Sequence, residues 1–186
     1  FIGAFIGLSL GDALGAPYEG GFLERILWKF FAKTPTGKMR WTDDTQMSID
    51  LAEIILEKNI VEQNALAYKF ASSYKWSRGY GPTAAKVLKS IKNGINWEIA
   101  NRQTYEEGSL GNGGAMRSPI LALIYSQNHT LLTKEITKAT QITHAHPLAI
   151  EGAVLVGKAV SLALNNINSL EIITIILQHS KNKIFK

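Results

Sequence analysis

The segment Trp41-Thr42-Asp43-Asp44-Thr45-Gln46-Met47 sets two adjacent carboxylates between two threonines. An apolar series follows at once, Met47, Leu51, Ile54 and Ile55, with the spacing of one buried helical stripe. The acid pair therefore falls in the first turn of a helix, with Thr42 placed to cap it. Two carboxylates and a hydroxyl within one turn offer hard oxygen ligands to a divalent cation such as Mg²⁺. The same residues also suit plain helix initiation, because Thr caps and Asp complements the positive end of the helix dipole.

Three other clusters have chemical potential. In Gly11-Asp12-Ala13-Leu14-Gly15-Ala16-Pro17-Tyr18-Glu19, Asp12 interrupts an apolar, glycine-rich run. Burying a lone carboxylate is costly, so Asp12 either faces solvent or pairs with a buried group, such as one at a metal site. Glu19 follows Pro17, where a helix should end. It reads either as a carboxylate that positions or deprotonates water, or as an exposed loop acid. In Gly108-Ser109-Leu110-Gly111-Asn112-Gly113-Gly114-Ala115-Met116-Arg117, a glycine-rich loop runs into a helix. Such a loop presents backbone N–H groups and a positive dipole end to phosphate, or is simply surface chain. No Gly-x-x-x-x-Gly-Lys-Ser/Thr pattern is present, so a nucleoside-triphosphatase loop is not supported. The third cluster is Thr143-His144-Ala145-His146-Pro147. Its histidines could chelate a metal, bond a ligand or cap the next helix, and with no cysteine or further clustered His they give little support for zinc.

The elements that must position these groups read as helices. Segment 2–15 carries Gly3, Gly7, Gly11 and Gly15 along one stripe. Interior glycines cost roughly 1 kcal/mol each, so tight packing in the middle of a helical bundle is expected to offset them. Further helices are expected over 43–58 and about 61–76, the latter burying Leu66, Phe70, Ala71 and Tyr74. Residues 77–81 read as a loop. Pro82 opens a helix with the stripe Ala84, Val87, Leu88 and Ile91, closed by Gly94. Residues 104–114 read as loop, and helices follow over 115–127, 131–142 and 148–165. Asn168 and Glu171 resemble a capping box before Ile172, Ile173, Ile176 and Leu177. That last stretch is rich in β-branched residues, yet its caps favour helix. No segment sustains period-two alternation, so the expected fold class is all-α.

The chain of 186 residues is 46% apolar and 19% charged, which fits one globular domain over 1–186. It has no cysteine, which excludes disulfides and thiolate metal sites and fits a reducing compartment. The net charge is +5 and the pI about 9.4. Its lysines are scattered, with Lys181, Lys183 and Lys186 near the end, and no dense basic block interleaves with aromatics. A solvated surface is favoured over a nucleic-acid partner, and an anionic small substrate remains compatible. The apolar stretch Phe1–Leu8 is too short to span a bilayer and lacks the flanks of a signal peptide. No membrane partner is expected, and cytoplasmic localisation is the expectation. The first residue is not Met, so processing at this end is expected.

Taken together, Gly-Asp-Ala-Leu-Gly-Ala-Pro-x-Glu at 11–19, Trp-Thr-Asp-Asp-Thr-Gln-Met at 41–47, Gly-Asn-Gly-Gly-Ala-Met-Arg at 111–117 and Thr-His at 143–144 resemble the ADP-ribosylglycohydrolase family. That family includes hydrolases of ADP-ribosylated arginine, of ADP-ribosylated serine and of modified dinitrogenase reductase. The resemblance implies a compact multi-helix orthogonal bundle with a binuclear Mg²⁺ site (Mn²⁺ in some members) in a central cleft. It implies Thr42, Asp43 and Asp44 as metal ligands, and Glu19, Asp43 and Asp44 as the catalytic acids. It implies Ser109, Gly111, Asn112, Gly113 and Gly114 as the cradle for ADP-ribose, with His144 nearby and Asp12 in support. Leu110 stands where an aromatic is often found. The implied activity is cleavage at ribose C1″ of an ADP-ribosylated protein or a small ADP-ribosyl compound, with oligomeric state left open. The family's second metal motif, Asp-Thr-Asp-Thr, has no counterpart here, since Glu171 is the only acid after Glu151. A C-terminally incomplete family domain is the expectation. A non-catalytic ADP-ribose- or nucleotide-binding protein, or a crystallin-like structural protein on the same scaffold, is the alternative. A helical interaction module, in which each motif is only a cap or loop, is a third.

Overall fold

The computed structural model describes residues 1–185, apart from the side chains of Glu24, Leu27, Lys29 and Phe31. Lys186, counted above with the terminal lysines, lies outside the described residues. The helices are α1 (Ile2–Gly15), α2 (Phe22–Phe31), α3 (Asp43–Lys58), α4 (Gln63–Ser73), α5 (Pro82–Lys92), α6 (Trp97–Ala100), α7 (Ser118–Tyr125), α8 (His129–Gln141), α9 (Pro147–Leu164) and α10 (Ser169–His179). Short 3₁₀ turns occur at Ala16–Tyr18, Trp76–Arg78, Ala115–Arg117 and Lys183–Phe185. Among the described residues, extended pairing is limited to one isolated bridge between Lys33 and Met39. The fold is all-α.

Local chemistry sets most helix ends. Thr42 is extended, and its Oγ1 accepts from the Asp44 N–H at 3.3 Å, which starts α3. Asn59 ends it in the left-handed region at φ 61°, donating to the Ile55 carbonyl at 2.8 Å. Glu62 caps α4 by accepting from the Asn64 and Ala65 N–H groups. Pro82 and Pro147 open α5 and α9, where a missing N–H costs nothing. Asn168 Oδ1 accepts from the Glu171 N–H at 3.0 Å, but the Glu171 carboxylate reaches the Asn168 side-chain amide, so only half of a capping box forms.

The core is built on the stripe read from α3. Met47, Leu51, Ile54 and Ile55 are buried together with Leu66 and Phe70 of α4, Leu88 of α5, Ile120 and Leu121 of α7, and Leu132 and Ile136 of α8. Each such side chain contributes about 1.5–3 kcal/mol on leaving water. Helix α9 packs against α7, α8 and α10. Its 18 residues have a mean hydropathy of 1.6, long and apolar enough to cross a membrane by length and composition alone. Here the α8 and α7 contacts occupy one side of it.

Four expectations are corrected. The glycines of α1 do not sit in the middle of a bundle. A Cβ on Gly3, Gly7 or Gly11 would meet no atom within 4 Å, and Ile2, Ile6, Leu10 and Leu14 are exposed. Only Asp12 and Ala13 of α1 are buried, because α1 touches the rest of the fold chiefly through α3. The helix expected over 61–76 is shorter at both ends, since Glu62 serves as its cap and Tyr74 leaves it with φ −55°, ψ 125°. The segment 115–127 divides into a 3₁₀ turn and α7, where Pro119 removes an N–H. Helices α2 and α6 lie outside the predicted set. Gly20 and Gly21 before α2 provide no capping side chain to read, and α6 is four residues long.

Candidate active site

The acid turn is held from outside α3. Asp12 reaches from α1, and its Oδ2 accepts from the Thr42 N–H at 2.8 Å, the Thr45 N–H at 3.1 Å and the Thr45 hydroxyl at 2.5 Å. Its Oδ1 takes a further share of the Thr42 N–H at 3.0 Å. The buried carboxylate thus pairs with amides at the start of a helix, where negative charge is favoured. The approach to the turn is fixed by Arg78, which donates to the Trp41 carbonyl at 2.7 Å and lies 4.4 Å above its ring. Gly79, at φ +79°, lets this segment pass beside Thr42 and Trp28.

Asp43 and Asp44 are half-buried beside one another. Burial, then repulsion from Asp44 and more distantly Asp12 and Glu19, pushes the Asp43 carboxyl up to about 7. Burial, then Asp12 and Glu19, pushes Asp44 up to about 6. Glu19 is exposed at the end of the 3₁₀ turn Ala16–Tyr18, which brings the α1 terminus to this corner. Four carboxylates therefore share one neighbourhood, where their charges repel. Their donors, with the Thr42 hydroxyl, are hard oxygens that fit Mg²⁺ in kind. Among the described residues, no three His, Cys, Asp or Glu side chains converge into a closed metal-holding group.

The glycine loop is shaped by what lies beneath it. Gly108 has φ +87°, and a Cβ there would come within 2.9 Å of the Ala145 backbone. A Cβ on Gly111 would lie 2.9 Å from His144 Nε2, one on Gly113 would overlap the same ring, and one on Gly114 would overlap Thr140. These glycines let the loop lie flat on the 143–145 segment and α8. Ser109 Oγ accepts from the Gly111 N–H at 3.3 Å, and the Asn112 carbonyl accepts from the Ala115 N–H at 2.8 Å. The Asn112 side chain is exposed and bonds nothing among the described residues. An open cleft of about 640 Å³ runs along Gly108, Ser109, Leu110, Gly111, Tyr105 and His146. Gly108→Ala should distort this cleft and destabilise the fold by roughly 2–4 kcal/mol, from left-handed strain plus overpacking. Chemical denaturation checks it, and a loss below the error of that method would refute the close packing.

The two histidines separate in role. His146 Nδ1 accepts from the Leu148 N–H at 3.1 Å and caps α9. His144 is buried and bonds Thr143 Oγ1 at 2.8 Å, while burial and then Arg117 push it down to about 3. They form no chelating pair.

Arg117 joins the glycine loop to α8 and Thr143, a role not read from the sequence, where it only closes its motif. It is fully buried, donating to the carbonyls of Gly113 and Ala139 (2.8 Å) and to Thr143 Oγ1 (3.0 Å), with its guanidinium 5.1 Å from the Phe70 ring. Burial lowers it to about 10, and the field of Asp43 offsets part of that. The legible signal was an arginine between a glycine loop and an apolar helix, where solvent exposure is not available to it. Gly111 and Gly113 thus lie on His144 and Gly114 on Thr140, next to the Arg117 contacts, and Asp43 is the acid of the α3 turn whose field reaches Arg117.

An all-helical scaffold packs the turn that follows the glycine loop against the acid-rich helix α3. The sequence model of ADP-ribosylglycohydrolase matches residues 1–183, and the chain belongs to that family. It is 35% identical to the ADP-ribosylhydrolase ARH3 of Mus musculus over 188 residues, covering 92% of this chain and 50% of that protein. Against the Homo sapiens ADP-ribosylhydrolase ARH3 the identity is 34%, with 92% and 52% covered. A solved chain described as an ADP-ribosylglycohydrolase-related protein complex superposes with a TM-score of 0.67 at 26% identity, covering 92% of this chain and 58% of that one. The chain spans about half the length of the curated relatives it matches.

Proposed function

We propose that this site takes part in Mg²⁺-dependent hydrolysis of the ribose C1″ bond of ADP-ribosylated side chains or related ADP-ribosyl compounds. The observation that carries this reading is Arg117, which fastens the glycine loop while lying within the field of Asp43. Thr42, Asp43 and Asp44 would hold the cation, and Asp12 fixes the turn that presents them. A divalent cation, when bound, supplies charge stabilisation at the reacting centre. Glu19, exposed at the end of the 3₁₀ turn, would take a proton from water. The amides of Gly111–Gly114 and the neutral His144 offer hydrogen-bond donors to the diphosphate and adenosine part without adding charge.

A second reading rests on the lack of a closed metal-holding group among the described residues. In it the loop and His144 bind ADP-ribose without turnover. The deciding experiment measures ADP-ribose release from ADP-ribosylated arginine or serine substrates with Mg²⁺, using this chain and Asp43→Ala, alongside calorimetric ADP-ribose binding. Release that the substitution removes supports hydrolysis. Binding without release supports the second reading. Absence of both from folded protein overturns each.

A further inference from the structure

We infer that Arg117 and Thr143 are positioning residues that fix His144 as its Nε2–H tautomer, so that it presents one neutral hydrogen-bond donor beneath Gly111 and Gly113. The inference rests on the ADP-ribose reading for the identity of the ligand, but not for the tautomer itself.

The argument is one of donors and acceptors. Thr143 is fully buried, and its hydroxyl has one proton and two lone pairs. Arg117 Nη2 sits 3.0 Å from Thr143 Oγ1 and can only donate. The other partner of Oγ1 is His144 Nδ1 at 2.8 Å. If Nδ1 carried the imidazole proton, both neighbours would donate into Oγ1. The Thr143 O–H would then have no acceptor among the described residues, and an unsatisfied buried donor is expensive. The Thr143 hydroxyl and Nδ1 are both satisfied only if Thr143 donates to Nδ1, which leaves the proton on Nε2. A doubly protonated ring is opposed by burial and by the neighbouring guanidinium. Nε2 has no hydrogen bond among the described residues. It lies 2.9 Å from the position of a Cβ on Gly111 and 3.0 Å from that on Gly113. The donor is therefore directed at the underside of the loop, against Gly111 and Gly113.

Such a relay sets the polarity of the site. Arginine keeps its charge across the physiological range, so the hydroxyl is never free to reverse. His144 then offers a donor and no acceptor, which selects against ligands that present an N–H or O–H at this point.

The test reads the tautomer in ligand-free protein at neutral pH, by long-range proton–nitrogen NMR with ¹⁵N-histidine and assignment through His144→Gln. Protonated Nε2 with a bare Nδ1 is expected. Thr143→Val should abolish the single tautomer and weaken ADP-ribose binding about tenfold, the value of one lost or misdirected hydrogen bond. Thr143→Ser should restore both. Protonated Nδ1 in the wild-type chain overturns the inference, as does Thr143→Val with tautomer and affinity unchanged. Should Thr143→Val fail to fold, the wild-type spectrum decides alone. The expected tautomer in a protein that binds no ADP-ribose would support the relay and sink the ligand reading separately.

Discussion

Replacing Asp12 by Ala will destabilise the chain by roughly 3–4 kcal/mol and weaken Mg²⁺ binding, although Asp12 is not among the proposed ligands. Its carboxylate serves the Thr42 N–H, the Thr45 N–H and the Thr45 hydroxyl. Alanine leaves two backbone amides and a hydroxyl buried without partners, each worth about 1–3 kcal/mol. Water entering from the exposed face of α1 recovers part of this, which sets the estimate below the simple sum. Asp12→Asn retains one acceptor oxygen and should lose about half as much. Urea unfolding with an unchanged slope measures the stability, and calorimetry measures the cation. A loss under about 1 kcal/mol for the alanine variant would show that the clamp is not what holds the first turn of α3.

Without a divalent cation, the folded chain should gain stability as pH falls from 8 towards 5. Asp43 and Asp44 are raised to about 7 and about 6. An unfolded aspartate titrates near 3.9. Between those values the folded state binds protons that the unfolded state does not, so stability falls as pH rises. The contribution of Asp43 is on the order of 3 kcal/mol, complete below the unfolded pKa and lost as pH passes through 7. This is the reverse of an ion-paired aspartate, because among the described residues no cationic side chain forms an ion pair with Asp43 or Asp44 to offset burial and repulsion. Mg²⁺ should flatten the profile by favouring the ionised pair, with affinity rising from pH 5 to 8. Melting curves with and without Mg²⁺ test the sign. Asp43→Asn should also flatten the profile, but without a response to Mg²⁺. A melting temperature that climbs with pH in metal-free protein would contradict the repulsive acid cluster.

The features legible in the sequence were those governed by local rules. The Thr42 cap, the buried stripe of α3, the proline starts of α5 and α9 and the Asn168 cap each depend on a few neighbouring residues. What could not be read depends on contacts between distant segments. Nothing near Asp12 indicates that its partners are amides some thirty residues away. The stripe in α1 has the spacing of a close-packed helix, but packing needs a neighbour, and spacing does not supply one. The glycines at 108–114 looked like a loop freed to meet a ligand. The structure shows another demand on them, to lie on His144, Thr140 and Ala145. His146 and His144 are two residues apart and similar on paper. Only their acceptors and donors in the fold separate a helix cap from a buried donor.

The acceptors around Arg117 are carbonyl oxygens and a hydroxyl rather than a directly bonded carboxylate, and its side chain is fully buried. Mobile ions therefore have no access to this positive charge, whereas the scattered surface lysines are fully open to them. Ionic strength should act on the two populations differently. Added salt will slow the capture of an anionic ligand by screening the lysines, while the fastening of the glycine loop to α8 stays as it was. In a salt titration the association rate should fall, and the geometry of the bound state should not change.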